Sequence, residues 1–316
     1  MLSYLLLALG LTALILGGDW LVKASVGLAE RWGIPPLIIG LTIVAFGTSA
    51  PELVISLDAA LDDAGGIAVG NVVGSNIANV LLVLGVPALI SRIQYQKSDI
   101  GDSIVLMTAV SVVFAWQLMN PPLTKTDGLV LIGFLVVFLG MQFYKAKAHA
   151  DEAEDDYHDE IGDVPTRMPV ILGFLVAGLV ALPSGAHLAV TSAVDIAQQL
   201  NVSDELIGVT IIAIGTSLPE LATGIMAARQ NNASVGVGNV IGSNIFNLAA
   251  IMGITTLVVD IEGKAMAHIV AFDIWVMLAA TALLVLIPLL KLTIGRRIGT
   301  LLLVLYVAYL TTTFLV

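Results

Sequence analysis

The sequence predicts an all-α membrane protein: ten transmembrane helices in two inverted five-helix repeats, with broken helices at a candidate ion site. Three observations predict it. Apolar residues are 58% of the 316 and charged residues 12%, with a mean hydropathy of +1.00, roughly half the charge of a soluble domain. Gly40–Gly85 aligns without a gap on Gly208–Gly253 at a constant offset of 168 residues, with about half the positions identical. Each copy also places one carboxylate, Glu52 or Glu220, in an otherwise apolar run. A charge at that depth costs ~2.5–3.5 kcal/mol even on lenient insertion scales, which marks it as a functional candidate.

Windows of about 20 apolar residues place spans near 2–24, 36–61, 67–90, 101–119, 127–145, 169–199, 205–228, 235–259, 269–290 and 297–315. The first run, Leu2–Leu16, lacks a basic leading segment and continues into Gly17-Gly18-Asp19-Trp20, so it reads as a span and not as a cleaved signal. Short breaks such as Asp62-Asp63-Ala64-Gly65-Gly66 and Asn120-Pro121-Pro122 separate the spans. The hydrophilic stretch 146–167, with its acidic core Asp151-Glu152-Ala153-Glu154-Asp155-Asp156, divides a 1–145 repeat from a 168–316 repeat. It lacks the spacing of an EF-hand loop and reads as a solvated connector.

Five spans per unit, an odd number, set the two units in opposite orientations, the plan of secondary transporters with a midplane site. With the N-terminus outside, Lys23, Arg31, Arg92, Lys97, Lys145, Lys147, Arg167, Arg229, Lys291, Arg296 and Arg297 fall on the cytoplasmic side, and only Lys125 and Lys264 outside. The positive-inside rule therefore makes both termini and the Asp204-Glu205 turn external and the acidic linker cytoplasmic, in a multi-pass protein of the cell's inner membrane. Much of the net charge of −11 is concentrated in that linker, and nothing is basic enough for nucleic acid. The absence of cysteine removes disulfides, thiolate metal sites and cysteine nucleophiles. No cofactor and no obligate protein partner is evident; the bilayer is the expected surrounding.

Within the repeats, Ala45-Phe46-Gly47-Thr48-Ser49-Ala50-Pro51-Glu52 answers to Ala213-Ile214-Gly215-Thr216-Ser217-Leu218-Pro219-Glu220. Proline has no N–H, so the carbonyl four residues back loses its helical partner and the backbone opens beside the acid. At membrane depth this is tolerated only inside protein or beside a wet cavity. Hydroxyls, freed carbonyls and a carboxylate make an all-oxygen surface, suited to a hard cation such as Ca²⁺ or Na⁺.

A second signature follows: Gly70-Asn71-Val72-Val73-Gly74-Ser75-Asn76-Ile77-Ala78-Asn79, and Gly238-Asn239-Val240-Ile241-Gly242-Ser243-Asn244-Ile245-Phe246-Asn247. Helical spacing puts Asn71, Ser75 and Asn79 on one stripe, and likewise Asn239, Ser243 and Asn247. The paired glycines permit close backbone approach. Neither Gly236-Val237-Gly238 nor Gly47-Thr48-Ser49 satisfies a dinucleotide or nucleophile-elbow pattern. Elsewhere, Asp19 with Lys23 reads as an interfacial ion pair, and His187 as a packing residue. Asp58, Asp195 and Asp273 receive no role. Trp20, Trp32, Trp116 and Trp275 fall where interfacial anchors fall.

The paired G-T-S-x-P-E and G-N-x-x-G-S-N-I-x-N segments resemble the alpha repeats of the sodium/calcium exchanger branch of the calcium/cation antiporters, in its compact prokaryotic ten-span form. The resemblance implies a secondary active antiporter, not an enzyme, in which Ca²⁺ and Na⁺ compete for one central cluster by alternating access. Carried over by motif position, Glu52 and Glu220 would be the shared carboxylates. Thr48, Ser49, Thr216 and Ser217, with the carbonyls of Ala45 and Ala213, would donate oxygen, and Ser75, Asn79, Ser243 and Asn247 would complete the ring. The first and sixth spans would slide across the remaining core. Asn247 stands where potassium-dependent relatives carry Asp, which argues against a potassium requirement. Gly74-Ser75 and Gly242-Ser243 stand where the proton-coupled branch carries Glu, which favours sodium. A Ca²⁺/H⁺ antiporter using the same acids, and a passive cation channel, remain the alternatives.

Overall fold

Residues 2–93, 97–152, 164–200, 202, 211, 213–262, 266–290 and 292–315 are described by a computed structural model. It is all-helical apart from two isolated backbone bridges. The helices are α1 (Leu2–Trp32), α2 (Pro36–Thr48), α3 (Ala50–Leu61), α4 (Gly65–Ile90), α5 (Lys97–Met119), α6 (Lys125–Glu152), α7 (Met168–Gln199), α8 (Ala213–Gly215), α9 (Leu218–Arg229), α10 (Ala233–Val258), α11 (Ile269–Leu289) and α12 (Arg296–Leu315). Among the described residues seven helices are long and apolar enough to cross a membrane: α1, α4, α5, α6, α7, α10 and α11. The pair α2/α3, bent by 41°, adds an eighth. Most of the acidic linker, the Asp204-Glu205 turn, Lys264 and Lys291 lie outside the described residues.

The antiparallel hairpins α3–α4 and α9–α10 close in the same way. Asp63 and Asn231, 168 positions apart, both adopt φ 58°, a left-handed conformation that Asp and Asn tolerate better than other L-residues. The next residue's N–H returns to the third-last helical carbonyl, Ala64 to Ala59 and Asn232 to Ala227, each at 2.8 Å. This is a Schellman stop without glycine.

Helices α1 and α7 run antiparallel and touch through small residues. A Cβ on Gly10 would lie 2.8 Å from the Gly185 carbonyl, and one on Gly178 would lie 2.9 Å from that of Gly17. Only glycine allows this approach. Gly178 and Gly185 stand 168 positions after Gly10 and Gly17, so the contact repeats itself about its own centre. Leu14, Leu21, Ile171 and Leu182 fill the rest of this seam, which forms one apolar cluster with Ile39, Val44 and Met226. A second and larger cluster surrounds α4 and α10, with α5, α6, α11 and α12 outside them.

Two expectations change. The first helix runs on past 24 to Trp32, which places Trp20 well inside it, stacked on Phe174 at 6.5 Å between ring centroids. Trp20 is therefore a packing residue between α1 and α7, whereas Trp32, Trp116 and Trp275 are exposed near helix ends. The close approach expected of the repeated glycines is seen at Gly238, whose Cβ would lie 2.6 Å from the Leu37 carbonyl, and at Gly242 against Leu41. The segment that stands to Gly70 and Gly74 as α2 stands to these is largely outside the described residues.

Candidate ion-binding site

The local sequence opens both acid-bearing helices. α2 ends at Thr48 and Ser49 bends, its N–H still bonded to the Ala45 carbonyl at 3.0 Å; α3 then restarts with Pro51 and Glu52 in its first turn. In the second copy Thr216 and Ser217 form the turn between α8 and α9, and Pro219 and Glu220 open α9. Proline suits a first helical turn, where its missing N–H would be unpaired in any case. Both glutamates therefore sit at helix starts, where carboxylates are favoured. Each is 1% exposed, and the two lie within electrostatic reach of one another.

α4 and α10 supply the amides. In both, the α-helix loosens into a π-turn where the second signature ends, over Asn79–Val83 and Phe246–Met252. Such widened turns cost hydrogen-bond geometry and cluster at functional sites. Here Asn79 and Asn247 lie at the start of each. The two helices are pinned across one another by four asparagines. Asn79 Nδ2 donates to Asn244 Oδ1 at 3.1 Å, and Asn247 Nδ2 donates to Asn76 Oδ1 at 3.0 Å. Asn76 Nδ2 reaches the Asn244 carbonyl at 3.2 Å, and Asn244 Nδ2 the Asn76 carbonyl at 3.5 Å. The amide orientations follow from this network. With their NH₂ groups spent on the crossing, Asn79 and Asn247 keep their Oδ1 atoms buried and without a partner.

The same is true of the other site oxygens. Ser49 Oγ, Glu52 Oε2, Ser75 Oγ, Ser217 Oγ and both Glu220 carboxylate oxygens are buried without a hydrogen-bond partner. A buried unsatisfied oxygen costs about 1–3 kcal/mol, so native proteins rarely collect several in one place. All of these are acceptors once the acids are ionised. Among the described residues no group of three or more His, Cys, Asp or Glu could hold a metal, so any cation here draws on neutral oxygens beside two carboxylates.

Not every expected donor is equally free. Thr48 Oγ1 lies 3.1 Å from Asn239 Oδ1, which also accepts from Ser243 Oγ at 3.3 Å. The Ala45 carbonyl accepts from Ser49, and Thr48 Oγ1 lies 3.4 Å from it. Thr216 is half-buried, and Ala213 opens α8. Asn71, by contrast with its counterpart Asn239, donates to Ser56 Oγ at 3.0 Å and to the Glu52 carbonyl at 3.4 Å, tying α4 to α3.

Sequence reasoning passed over Asn76 and Asn244, although both stand in the second signature. Their spacing of three from Asn79 and Asn247 puts them on the same helix face, which was the available signal. It also left Asp273 without a role. This acid is 7% exposed, accepts from Tyr309 Oη at 3.0 Å and lies 3.0 Å from His268 Nδ1, joining α11 to α12. Asp19 pairs with Lys23 at 2.9 Å as expected and also accepts from Gln230 at 2.8 Å, so it ties α1 to the end of α9. Asp58, Asp195 and His187 are exposed.

These features define a class: a helical membrane protein built around two buried acids. The chain's relatives are exchangers, which makes it a transporter and not an enzyme. The family described as "Sodium/calcium exchanger protein" matches residues 2–144 and 170–315, and this chain belongs to it. It is 32% identical to "Sodium/calcium exchanger MaX1" of Methanosarcina acetivorans, over 99% of this chain and 98% of that protein. It is 36% identical to "Inner membrane protein YrbG" of Escherichia coli, over 85% and 83%. Its fold is similar to the sodium-calcium exchanger NCX_Mj soaked with 10 mM Na⁺ and zero Ca²⁺, with a TM-score of 0.82 and 32% identity over 98% of both chains.

Proposed function

We propose that the chain exchanges Ca²⁺ for Na⁺ across the cell membrane, both ions using the oxygen cluster around Glu52 and Glu220. The observation that carries this reading is a pair of buried acids on α3 and α9, which pack against the π-turns of α10 and α4, where Asn247 and Asn79 keep buried oxygens without a partner. Two ionised carboxylates offset one divalent cation, and Ser49, Ser75, Asn79, Ser217 and Asn247 supply neutral oxygens of the kind hard cations take. Thr48, Thr216, Ser243 and the carbonyls of Ala45 and Ala213 would add further oxygens to the same set. Sodium can occupy the same oxygens at lower charge, so the two ions compete for them.

The proposed arrangement is ten spans in two inverted repeats, 1–145 and 168–316, joined by the 146–167 connector, with both termini external. The recurrence of the Schellman stops, the π-turns and the asparagine pairs at the 168-residue offset supports it. Alternating access would come from α1 and α7 moving together over a core fixed by the α4–α10 crossing. In support, side chains of α7 lie on the glycines of both acid motifs, Leu179 against Gly47 and Val190 against Gly215.

The test is flux in vesicles of the purified protein. ⁴⁵Ca²⁺ uptake is expected when Na⁺ is loaded inside and an outward Na⁺ gradient imposed. Uptake driven by internal acid and indifferent to Na⁺ would assign the same acids to proton exchange, and uptake needing no counter-ion would make the protein a channel.

A further inference from the structure

We infer that the cavity between the end of α4 and the start of α12 binds the phosphate of an anionic phospholipid headgroup. The cavity measures about 660 Å³, and three arginines line it: Arg92, Arg296 and Arg297. Among the described residues none of the three pairs with a carboxylate. Three unneutralised cations around one hollow repel each other, and an anion placed among them relieves that repulsion.

The site is built as well as charged. Ile93 N–H bonds to the Ile294 carbonyl at 2.9 Å, fixing the two loops that bound the cavity. Arg296 Nε donates to the Leu89 carbonyl at 3.2 Å, which holds its guanidinium at the α4 terminus with donors to spare. Ser91 Oγ, at the wall, is buried and has no partner. Gly295 and the opening turn of α12, Arg296, Arg297 and Ile298, also line the cavity; the backbone N–H groups of that turn have no intrahelical acceptor. Forked arginine donors with free N–H groups match phosphate geometry.

Lipid, not a free anion, is indicated by what adjoins the charge. Leu89 and Ile90 line the same cavity and are 36% and 45% exposed, and Leu292, one position before the lining residue Thr293, is exposed as well. An acyl chain would cover them while its phosphate reached the arginines. The hollow lies on the face that the Lys and Arg distribution assigns to the cytoplasm, where basic pockets between spans take anionic headgroups. The repeat does not produce this charge: 168 positions on, Arg92 becomes Asp260, and Arg296 and Arg297 correspond to Gly128 and Leu129.

Native mass spectrometry of the full chain in detergent tests the assignment independently of transport. Phosphatidylglycerol is expected to remain bound where phosphatidylcholine with the same acyl chains does not. The triple variant Arg92→Gln, Arg296→Gln, Arg297→Gln should weaken phosphatidylglycerol about a hundredfold, at about fivefold per arginine. A control triple away from the cavity, Arg31→Gln, Lys147→Gln, Arg229→Gln, should retain it. If the cavity triple does not fold, Arg92→Gln alone carries the test, with about a fivefold loss expected. Equal losses in the two triples, or equal retention of both lipids, overturn the proposal. Displacement of the lipid by inorganic phosphate at matching concentration would also overturn it, by reducing the site to a free-phosphate pocket.

Discussion

The α4–α10 crossing and the α1–α7 pair are both contacts between helices that correspond at the 168-residue offset, yet they are made of opposite materials. At the first, four buried asparagines bond from one helix to the other, and each helix is loosened by a π-turn at that level. At the second, glycines and leucines meet through van der Waals contact, and Thr12, Ser25 and Thr191 return their hydroxyls to their own helix. Directional bonds in a low-dielectric interior resist displacement, because sliding leaves donors and acceptors bare. Apolar contacts between small residues have no such register. The molecule thus joins a fixed polar centre to a smooth apolar pair, and the acids sit on the broken helices between them.

The sharpest way to break this comparison is at the acids. Glu52→Gln or Glu220→Gln should lower ⁴⁵Ca²⁺ exchange by about a hundredfold or more, since losing one charge of a buried ionic set costs ~3–5 kcal/mol. Expression and helix content should be unchanged. Wild-type rates in either variant would sink the site.

Next is the crossing. Asn76→Ala and Asn244→Ala should each cost about 1–3 kcal/mol by stranding a buried partner. The loss should show both as lower thermal stability and as weaker Ca²⁺ binding, with the double variant well short of additive. Strict additivity would mean that the asparagines do not act as one unit.

The apolar pair should respond differently. Gly10→Val or Gly178→Val forces a side chain into a backbone contact, at about 1–3 kcal/mol. Exchange should fall while Ca²⁺ affinity, measured by calorimetry, stays near wild type. A parallel loss of affinity would show that α1 and α7 belong to the site itself.

The smallest effect is expected at the tie between α1 and α9. Asp19→Asn removes a partly exposed ion pair worth at most ~1 kcal/mol, so exchange should stay within about fivefold of wild type. A larger change in rate alone would identify this contact as one that breaks during exchange.

Much of this was legible in the chain. A carboxylate after proline in an apolar run, present twice at one offset, left little but a paired acid site, because burying two such groups without purpose is too costly. Helix positions followed from apolar length alone, and were least accurate where a helix continues past its apolar window, as α1 does to Trp32. Trp20 was misplaced for the same reason: its depth depends on where the helix stops, and its partner Phe174 lies in the other half of the chain.

The sequence by itself determined the membrane class, the duplication and the identity of the acids, because these rest on composition, periodicity and the cost of charge in an apolar medium. Tertiary structure alone decided which asparagine holds and which remains free. It also decided that Asp273 is spent on Tyr309 and His268, and that Arg92 shares one hollow with Arg296 and Arg297, about 200 positions away. Those outcomes depend on which helices cross and at what level, and distances between side chains on different helices are set by packing and cannot be read along a single chain.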